Sequence, residues 1–217
     1  MQSSPYLRTL GEQLHESIDV FWTGARIIAD TFTESHLSAI TTVLRRQPLL
    51  WDNLFANDYD MRRVYIGPYN RDIAISQHVK GILLNPNCEF ALNYVPLHTM
   101  AAFARCSNAT IAYHRNDAYI SAIHDWWAAT LTLQEQQLIS ESEFRMLCDC
   151  FYLPYDNGAF ADTFISDMQY LLSTYAPGWD QSVFQRFCES CQLLVSLFER
   201  LTAIQNRYYV HGNIYAQ

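Results

Sequence analysis

Leu49-Leu50-Trp51-Asp52-Asn53-Leu54-Phe55-Ala56-Asn57-Asp58-Tyr59-Asp60 decides how the rest of this sequence is read. An apolar run ends in aromatic and amide side chains, and three carboxylates fall within nine residues. A buried strand that opens onto a polar pocket has this composition. Taken alone, it points to a carbohydrate or a metal site.

On the N-terminal side, Pro48 closes a helix whose apolar positions Leu37, Ile40 and Leu44 recur at helical intervals, and Thr31-x-x-Glu34 has the spacing of a capping box at its start. Before it, Ile18–Trp22 reads as a short strand ended by Thr23-Gly24. Residues 5–16 read as a short helix that begins at Pro5 and is weakened by Gly11. On the C-terminal side, Val64-Tyr65-Ile66 precedes the turn Gly67-Pro68, and a helical segment near Ile73–Val79 leads to the apolar strand Gly81–Leu84. Asn85-Pro86-Asn87 ends that strand, because a residue before proline is pushed away from helical geometry. A long apolar helix is expected from about Cys88 to Arg105.

This strand–helix rhythm predicts a parallel sheet. Three strongly apolar parallel strands need cover on both faces and further neighbours, whereas a closed barrel takes about eight strands. Residues 1–106 therefore read as the last three β/α units of a (β/α)8 (TIM) barrel. The polar stretch 107–117 is a short linker. Residues 118–217 are helical throughout, with Ile120, Ile123, Trp127 and Leu131 on one helix and Ser140-x-x-Glu143 opening a second. A third covers about Ala159–Tyr175. The fourth, about Asp180–Asn206, carries a stripe of Phe184, Phe187, Cys191, Leu194, Phe198 and Leu201. Four amphipathic helices joined by short turns predict an antiparallel bundle. The fold class is α/β plus all-α.

The 22 acidic residues outnumber the 14 basic ones, a net charge of −8, which argues against nucleic acid as the main partner. No apolar run approaches the roughly 18 residues of a membrane span, and Met1-Gln2-Ser3-Ser4-Pro5 lacks a basic-then-apolar leader pattern. Cys88, Cys106, Cys148, Cys150, Cys188 and Cys191 lack the spacing of a zinc site and read as free, mostly buried thiols of a reducing compartment. No metal or cofactor is expected, and no serine or cysteine nucleophile motif is present.

Trp51-Asp52-Asn53-x-x-Ala56-Asn57-Asp58-Tyr59-Asp60 resembles the most recognisable barrel motif of the O-GlcNAcase family, glycoside hydrolase family 84. Ser4-Pro5-Tyr6-Leu7-Arg8-Thr9-x-Gly11-Glu12 and Ile18-Asp19-Val20-x-Trp22-Thr23-Gly24 resemble its upstream run. Gly67-Pro68-Tyr69 and Lys80-Gly81-x-Leu83-x-Asn85-Pro86-Asn87-Cys88-Glu89-Phe90 resemble its downstream run. Cys150-Phe151-Tyr152-Leu153-Pro154-Tyr155 and Leu197-Phe198-x-Arg200-Leu201 are similar to the helical stalk of the animal enzymes.

The resemblance implies removal of single N-acetylglucosamine units from Ser and Thr of nuclear and cytoplasmic proteins. The family's mechanism is substrate-assisted, with the sugar's own acetamide oxygen attacking the anomeric carbon and two adjacent aspartates assisting. On this resemblance, Asp58 accepts hydrogen bonds from sugar hydroxyls, a task suited to an ionised, acceptor-only carboxylate. Asn53 and Asn85 are pocket amides, Trp51 is an aromatic wall near the N-acetyl group, and Tyr59 is a further candidate on the same loop. Asp52 and Asp60 read as structural, holding the loop through backbone N–H groups.

The sequence has no Asp-Asp pair, so no catalytic residue is assigned in it. The expected partners are O-GlcNAc-modified proteins, the N-terminal barrel segment that completes the sheet, and a second copy bound through the stalk. Neither nucleic acid nor membrane is expected. The alternative function is a catalytically inactive helical scaffold with a vestigial sugar pocket.

Overall fold

The computed structural model describes residues 4–60 and 62–211, with side chains through 204. Three short strands, β1 (Phe21–Trp22), β2 (Leu49–Asp52) and β3 (Gly81–Leu84), form a parallel sheet in chain order. Phe21 pairs with Leu49, Leu49 with Gly81, and Trp51 with Leu83.

Because paired residues of parallel strands share a face, the register sorts the side chains. Leu50 and Asp52 are fully buried on one face. On the other, Phe21, Trp51 and Leu83 remain 52%, 39% and 44% exposed. Large apolar side chains on a sheet face are normally covered, and here these three stand open among the described residues.

Helix α1 (Pro5–Gln13) is capped by the Ser4 hydroxyl, and Gly11 is its buried residue. A Cβ at Gly11 would lie 2.2 Å from the Val43 carbonyl oxygen. Gly11 is therefore where α1 meets α2 (Glu34–Leu44), rather than a weak point in an isolated helix. The cap of α2 is Thr33, whose side chain accepts from the His36 N–H, so the expected Thr31–Glu34 capping box does not form. Arg45 ends α2 in a left-handed conformation (φ 55°), three residues before Pro48. Arg46 then donates to the carbonyls of Leu14, His15, Ile18 and Leu44, gathering the ends of both helices.

A 3₁₀ helix, Ile73–His78, precedes β3. The helix expected from Cys88 begins later: a 3₁₀ turn at Phe90–Asn93 leads into α3 (Tyr94–Ala109). The Asn side chains at 87 and 93 hold the approach in extended and turn geometry. Helix α3 runs into the stretch expected as linker, and α4 (Arg115–Thr130) begins inside it, leaving 110–114 as the connection.

The chain divides into two compact units, Met1–Ala122 with Leu153–Asp156, and Ile123–Tyr152 with Asn157–Gln217. The division falls within α4, and the Leu153–Asp156 turn belongs with the first unit.

In the second unit, α4 is followed by α5 (Leu133–Leu138), α6 (Glu141–Asp149), α7 (Ala159–Ser173) and α8 (Gln181–His211). The short α5 was not expected from periodicity, yet Thr132-x-x-Glu135 makes a complete capping box at its start, as Ser140-x-x-Glu143 does for α6. Helices α6, α7 and α8 pack in succession. Phe164 stacks on Phe187 with centroids 5.0 Å apart, and Arg186 grips the buried Asp167. The buried edge of α8 includes Leu197 and Ile204. Of the expected stripe, Phe187, Cys191, Leu194 and Leu201 are half-buried, while Phe198 is 49% exposed and the adjacent Leu197 takes the inward place.

Arg200 hydrogen-bonds both oxygens of Glu143. This pairing, together with the Ser140 cap, holds the Glu143 carboxyl down to about 2 against the burial that opposes it. A depressed carboxyl contributes stability that is present above its unfolded value, about 4.5, and is lost as pH falls toward 2. Glu143→Gln should therefore destabilise the second unit by about 1–3 kcal/mol at pH 7 and much less at pH 2.5, as read by denaturant unfolding at the two pH values.

Candidate sugar site

Where β2 ends, the chain turns at once, and the turn is held by Asp52. Its carboxylate accepts from the Leu54 N–H (3.1 Å) and the Tyr69 hydroxyl (3.1 Å), and takes a two-pronged contact from Arg71 (2.8 and 2.7 Å). Every partner is buried. Burial is the largest influence and opposes the Arg71 charge, but hydrogen bonding to Asp52 and the charges of Asp52 and its neighbours together outweigh it and raise the guanidinium pKa. Burial, then the Asp52 charge, pushes the Tyr69 hydroxyl well up. Asp52 is thus the internal anchor of the loop.

The next residues carry the polar surface. The buried Asn53 donates from Nδ2 to the Ile27 carbonyl (2.7 Å), and its Oδ1 accepts from the Trp51 indole N–H (2.9 Å) and from Asn85 Nδ2 (2.9 Å). This arrangement settles the amide orientation, since the oxygen faces two donors and the nitrogen faces a carbonyl. The Asn85 backbone N–H continues the ladder to the Asp52 carbonyl (2.8 Å), which places Asn85 beside Asn53 at the ends of β2 and β3.

Trp51, Asn53 and Asn85 are therefore one hydrogen-bonded unit. Among the described residues, what remains uncommitted is one N–H of Asn53, and one N–H and the oxygen of Asn85. These are the valences that a polyhydroxy ligand can use. The Trp51 ring, half-exposed, packs edge-on against Phe21 at 5.4 Å.

Asp58 is exposed and forms no hydrogen bond or ion pair with any described residue. Tyr59 is exposed as well, and its hydroxyl meets that of Tyr65 at 2.9 Å. Burial and that hydrogen bond push its pKa up, so it is a neutral hydroxyl at any ordinary pH. Asp60 is held below the usual carboxylate range chiefly by hydrogen bonds from Arg62.

Beneath this surface lies an amide network that joins the loops after β2 and β3. Asn57 donates to the Arg63 carbonyl and to Glu89, and accepts from the Cys88 N–H. Asn87 pairs with both backbone groups of Tyr65, and Asn93 closes on Asn87. A buried network in which each amide is engaged holds the two loops rigidly together.

Arg71, Tyr69 and the amides at 57, 87 and 93 belong to the support of the site. So does Tyr155, whose hydroxyl donates to the Ile28 carbonyl (2.7 Å). Gly67-Pro68-Tyr69 stood out in the sequence as a turn, but nothing local pointed to Arg71 as the partner of a residue 41 positions away.

Among the described residues, no group of three or more His, Cys, Asp or Glu side chains is placed to hold a metal ion. Nor, among the described residues, is any helix long and apolar enough to cross a membrane. All six cysteines are free thiols. Of them only Cys148 is buried, while Cys88 and Cys150 are exposed, because both lie at turns that follow an element.

The profile of the family described as beta-N-acetylglucosaminidase (NAGidase) matches residues 1–138. Protein O-GlcNAcase of Rattus norvegicus is 34% identical over 155 residues, 71% of this chain, and that of Mus musculus matches equally. The chain spans 16% of the length of those relatives. Among solved structures, a mutant O-GlcNAc hydrolase of Thermobaculum terrenum superposes with a TM-score of 0.66 at 25% identity, covering 94% of this chain and 42% of the other. CpGH84B superposes with a TM-score of 0.64 at 17% identity, covering 95% and 34%. The second likeness concerns the fold alone.

Proposed function

The chain belongs to the β-N-acetylglucosaminidase family, and on that premise we propose that it supplies the sugar-recognising part of an O-GlcNAcase-type hydrolase acting on O-linked N-acetylglucosamine of Ser and Thr in proteins of the cytoplasm and nucleus. The observation that carries this reading is the Trp51–Asn53–Asn85 hydrogen-bonded unit at the strand ends, with the Asp58 carboxylate, which has no partner among the described residues, on the same loop. Barrel enzymes place their chemistry at that end of the strands.

In this reading, Asp58 accepts hydrogen bonds from two sugar hydroxyls. The amides of Asn53 and Asn85 use their remaining valences on the ring substituents, and the Trp51 face lies against the acetamide methyl. Tyr59, a neutral hydroxyl, borders the opening. Strands β1–β3 are the last three units of a (β/α)8 barrel, and the other five units cover the face bearing Phe21, Trp51 and Leu83. Those units also bring the pair of carboxyl groups for substrate-assisted, retaining hydrolysis, since this sequence has no adjacent aspartates. Residues 118–217 serve as the stalk, through which two copies associate.

The test is hydrolysis of an aryl N-acetyl-β-glucosaminide by the chain alone and by the chain mixed with the N-terminal barrel half of a relative. We expect no turnover alone and turnover on mixing. Turnover by the chain alone would show that it carries its own acid and base. A folded mixture that remains silent would favour an inactive scaffold. In the active mixture, Asp58→Ala removes two charge-assisted hydrogen bonds worth about 1.5–3 kcal/mol each, so kcat/KM should fall by about 10²–10⁴-fold. A change smaller than about threefold would place Asp58 outside the pocket.

A further inference from the structure

Four consecutive carbonyls after β1 are each held by a side chain from elsewhere in the unit. Ile27 accepts from Asn53 Nδ2 (2.7 Å) and Ile28 from the Tyr155 hydroxyl (2.7 Å). Ala29 and Asp30 both accept from Arg71 (3.0 and 2.7 Å). A loop ordinarily leaves its carbonyls to water, and a run of four taken by three side chains pins every peptide plane from 27 to 31.

Arg71 and Tyr155, the clamps on neighbouring carbonyls, differ in kind. Arg71 is buried and tied to Asp52, so it is part of the core. Tyr155 is half-exposed, reaches the loop across 127 residues, and touches it through a single hydroxyl. Gly24, at φ +100°, lets the loop fold over onto Ala29 and Phe32, so its outer half, residues 25–28, is exposed or half-buried and has, among the described residues, Asn53 and Tyr155 to hold its carbonyls.

We propose that Tyr155 is a positioning residue of the sugar site: by holding the Ile28 carbonyl it keeps the adjoining Ile27 carbonyl where it orients the Asn53 amide. The chain of contacts runs from the Tyr155 hydroxyl to the Ile28 carbonyl, through one residue to the Ile27 carbonyl, and on to Asn53. From Asn53 it continues to Trp51 and Asn85. If the Ile27 carbonyl turns away, Asn53 loses the acceptor that holds its Nδ2 end, and the donors Trp51 and Asn85 alone still fix the amide. Their shared acceptor is then held less firmly. Orientation of a polar first contact by a second group behind it is a general requirement of precise sites. That Asn53 and Asn85 meet a sugar rests on the function proposed above, whereas the orienting role does not.

Tyr155→Phe keeps the ring and removes one donor. Hydrogen exchange at the side-chain amide of Asn53 and the indole N–H of Trp51, followed by ¹⁵N NMR on the whole chain, should quicken by about 10-fold. The side-chain amide of Asn87, held in the separate network, should not change, and Tyr6→Phe, at an exposed tyrosine of α1, should alter none of the three. Titration with N-acetylglucosamine should then show about 3–10-fold weaker binding for Tyr155→Phe. Unchanged exchange at Asn53 and Trp51 would overturn the proposal. So would a uniform rise that includes Asn87, which would make Tyr155 a general support of the fold. If the wild-type chain shows no response to the sugar, the sugar reading fails, while the exchange comparison still decides the orienting role. Should Tyr155→Phe not fold, 3-fluorotyrosine at position 155, a stronger donor, must slow exchange at Asn53, and no slowing would refute the idea.

Discussion

Arg71→Met should lower the melting temperature of the first unit by roughly 10 °C, a loss of about 3–5 kcal/mol. The magnitude follows from what is left behind. Asp52 would be left in a fully buried site with the Tyr69 hydroxyl and the Leu54 N–H as its remaining donors among the described residues. The carbonyls of Ala29 and Asp30 would also lose their partners. Unpairing one buried charge is far more costly than removing both. The double change Asp52→Leu with Arg71→Met should thus recover part of the loss, and a thermal melt of the two variants distinguishes the cases. Equal melting temperatures for the single variant and wild type would mean that water reaches Asp52. The Arg71 guanidinium also lies 4.8 Å from the Phe32 ring centre, so lysine, without the planar fork, should not replace it.

Gly11→Ala should destabilise the first unit by about 3 kcal/mol or detach α1, despite alanine's better helix propensity. Propensity favours alanine by about 1 kcal/mol. Against that, the new Cβ would stand 2.2 Å from the Val43 carbonyl oxygen and 2.9 Å from the Leu44 Cα, and both are backbone atoms of α2 that cannot rotate aside. Overpacking of this kind generally costs about 1–3 kcal/mol, and more where the obstacle is main chain. Gly178 is the control: its nearest neighbour for a Cβ is a Thr174 methyl at 3.6 Å, so Gly178→Ala should leave the denaturant midpoint within error. A stabilised Gly11→Ala would show that α1 does not press on α2.

How far the sequence carried the fold can be judged at single residues. Strands β2 and β3 were legible because Leu49–Trp51 and Gly81–Leu84 are short apolar runs with proline or glycine at their borders. The ends of helices were less so. Arg45 closes α2 in a left-handed conformation that no glycine or asparagine advertised, and Thr33 outcompeted Thr31 for the cap. In α8, apolar residues occupy more than one column, so periodicity alone could not say whether Leu197 or Phe198 faces inward.

At the candidate site, Trp51, Asn53 and Asn85 were named together from motif resemblance, and the geometry brings these three into direct contact. The burial of Asp52 and its pairing with Arg71 come from tertiary contacts 19 residues apart in the chain, which no local pattern encodes. Asp58 illustrates the reverse. A carboxylate without a described partner looks like any solvated turn residue until its loop is placed.

The simple order of the sheet, β1-β2-β3 with each strand beside its predecessor in the chain, has a consequence for how such a chain is made. Each strand finds its partner across one intervening helical segment, so no pairing within the sheet waits for a distant stretch to be synthesised. On a ribosome, β2 can dock on β1 and β3 on β2 as each emerges, and growth is directional, from the amino end to the carboxyl end.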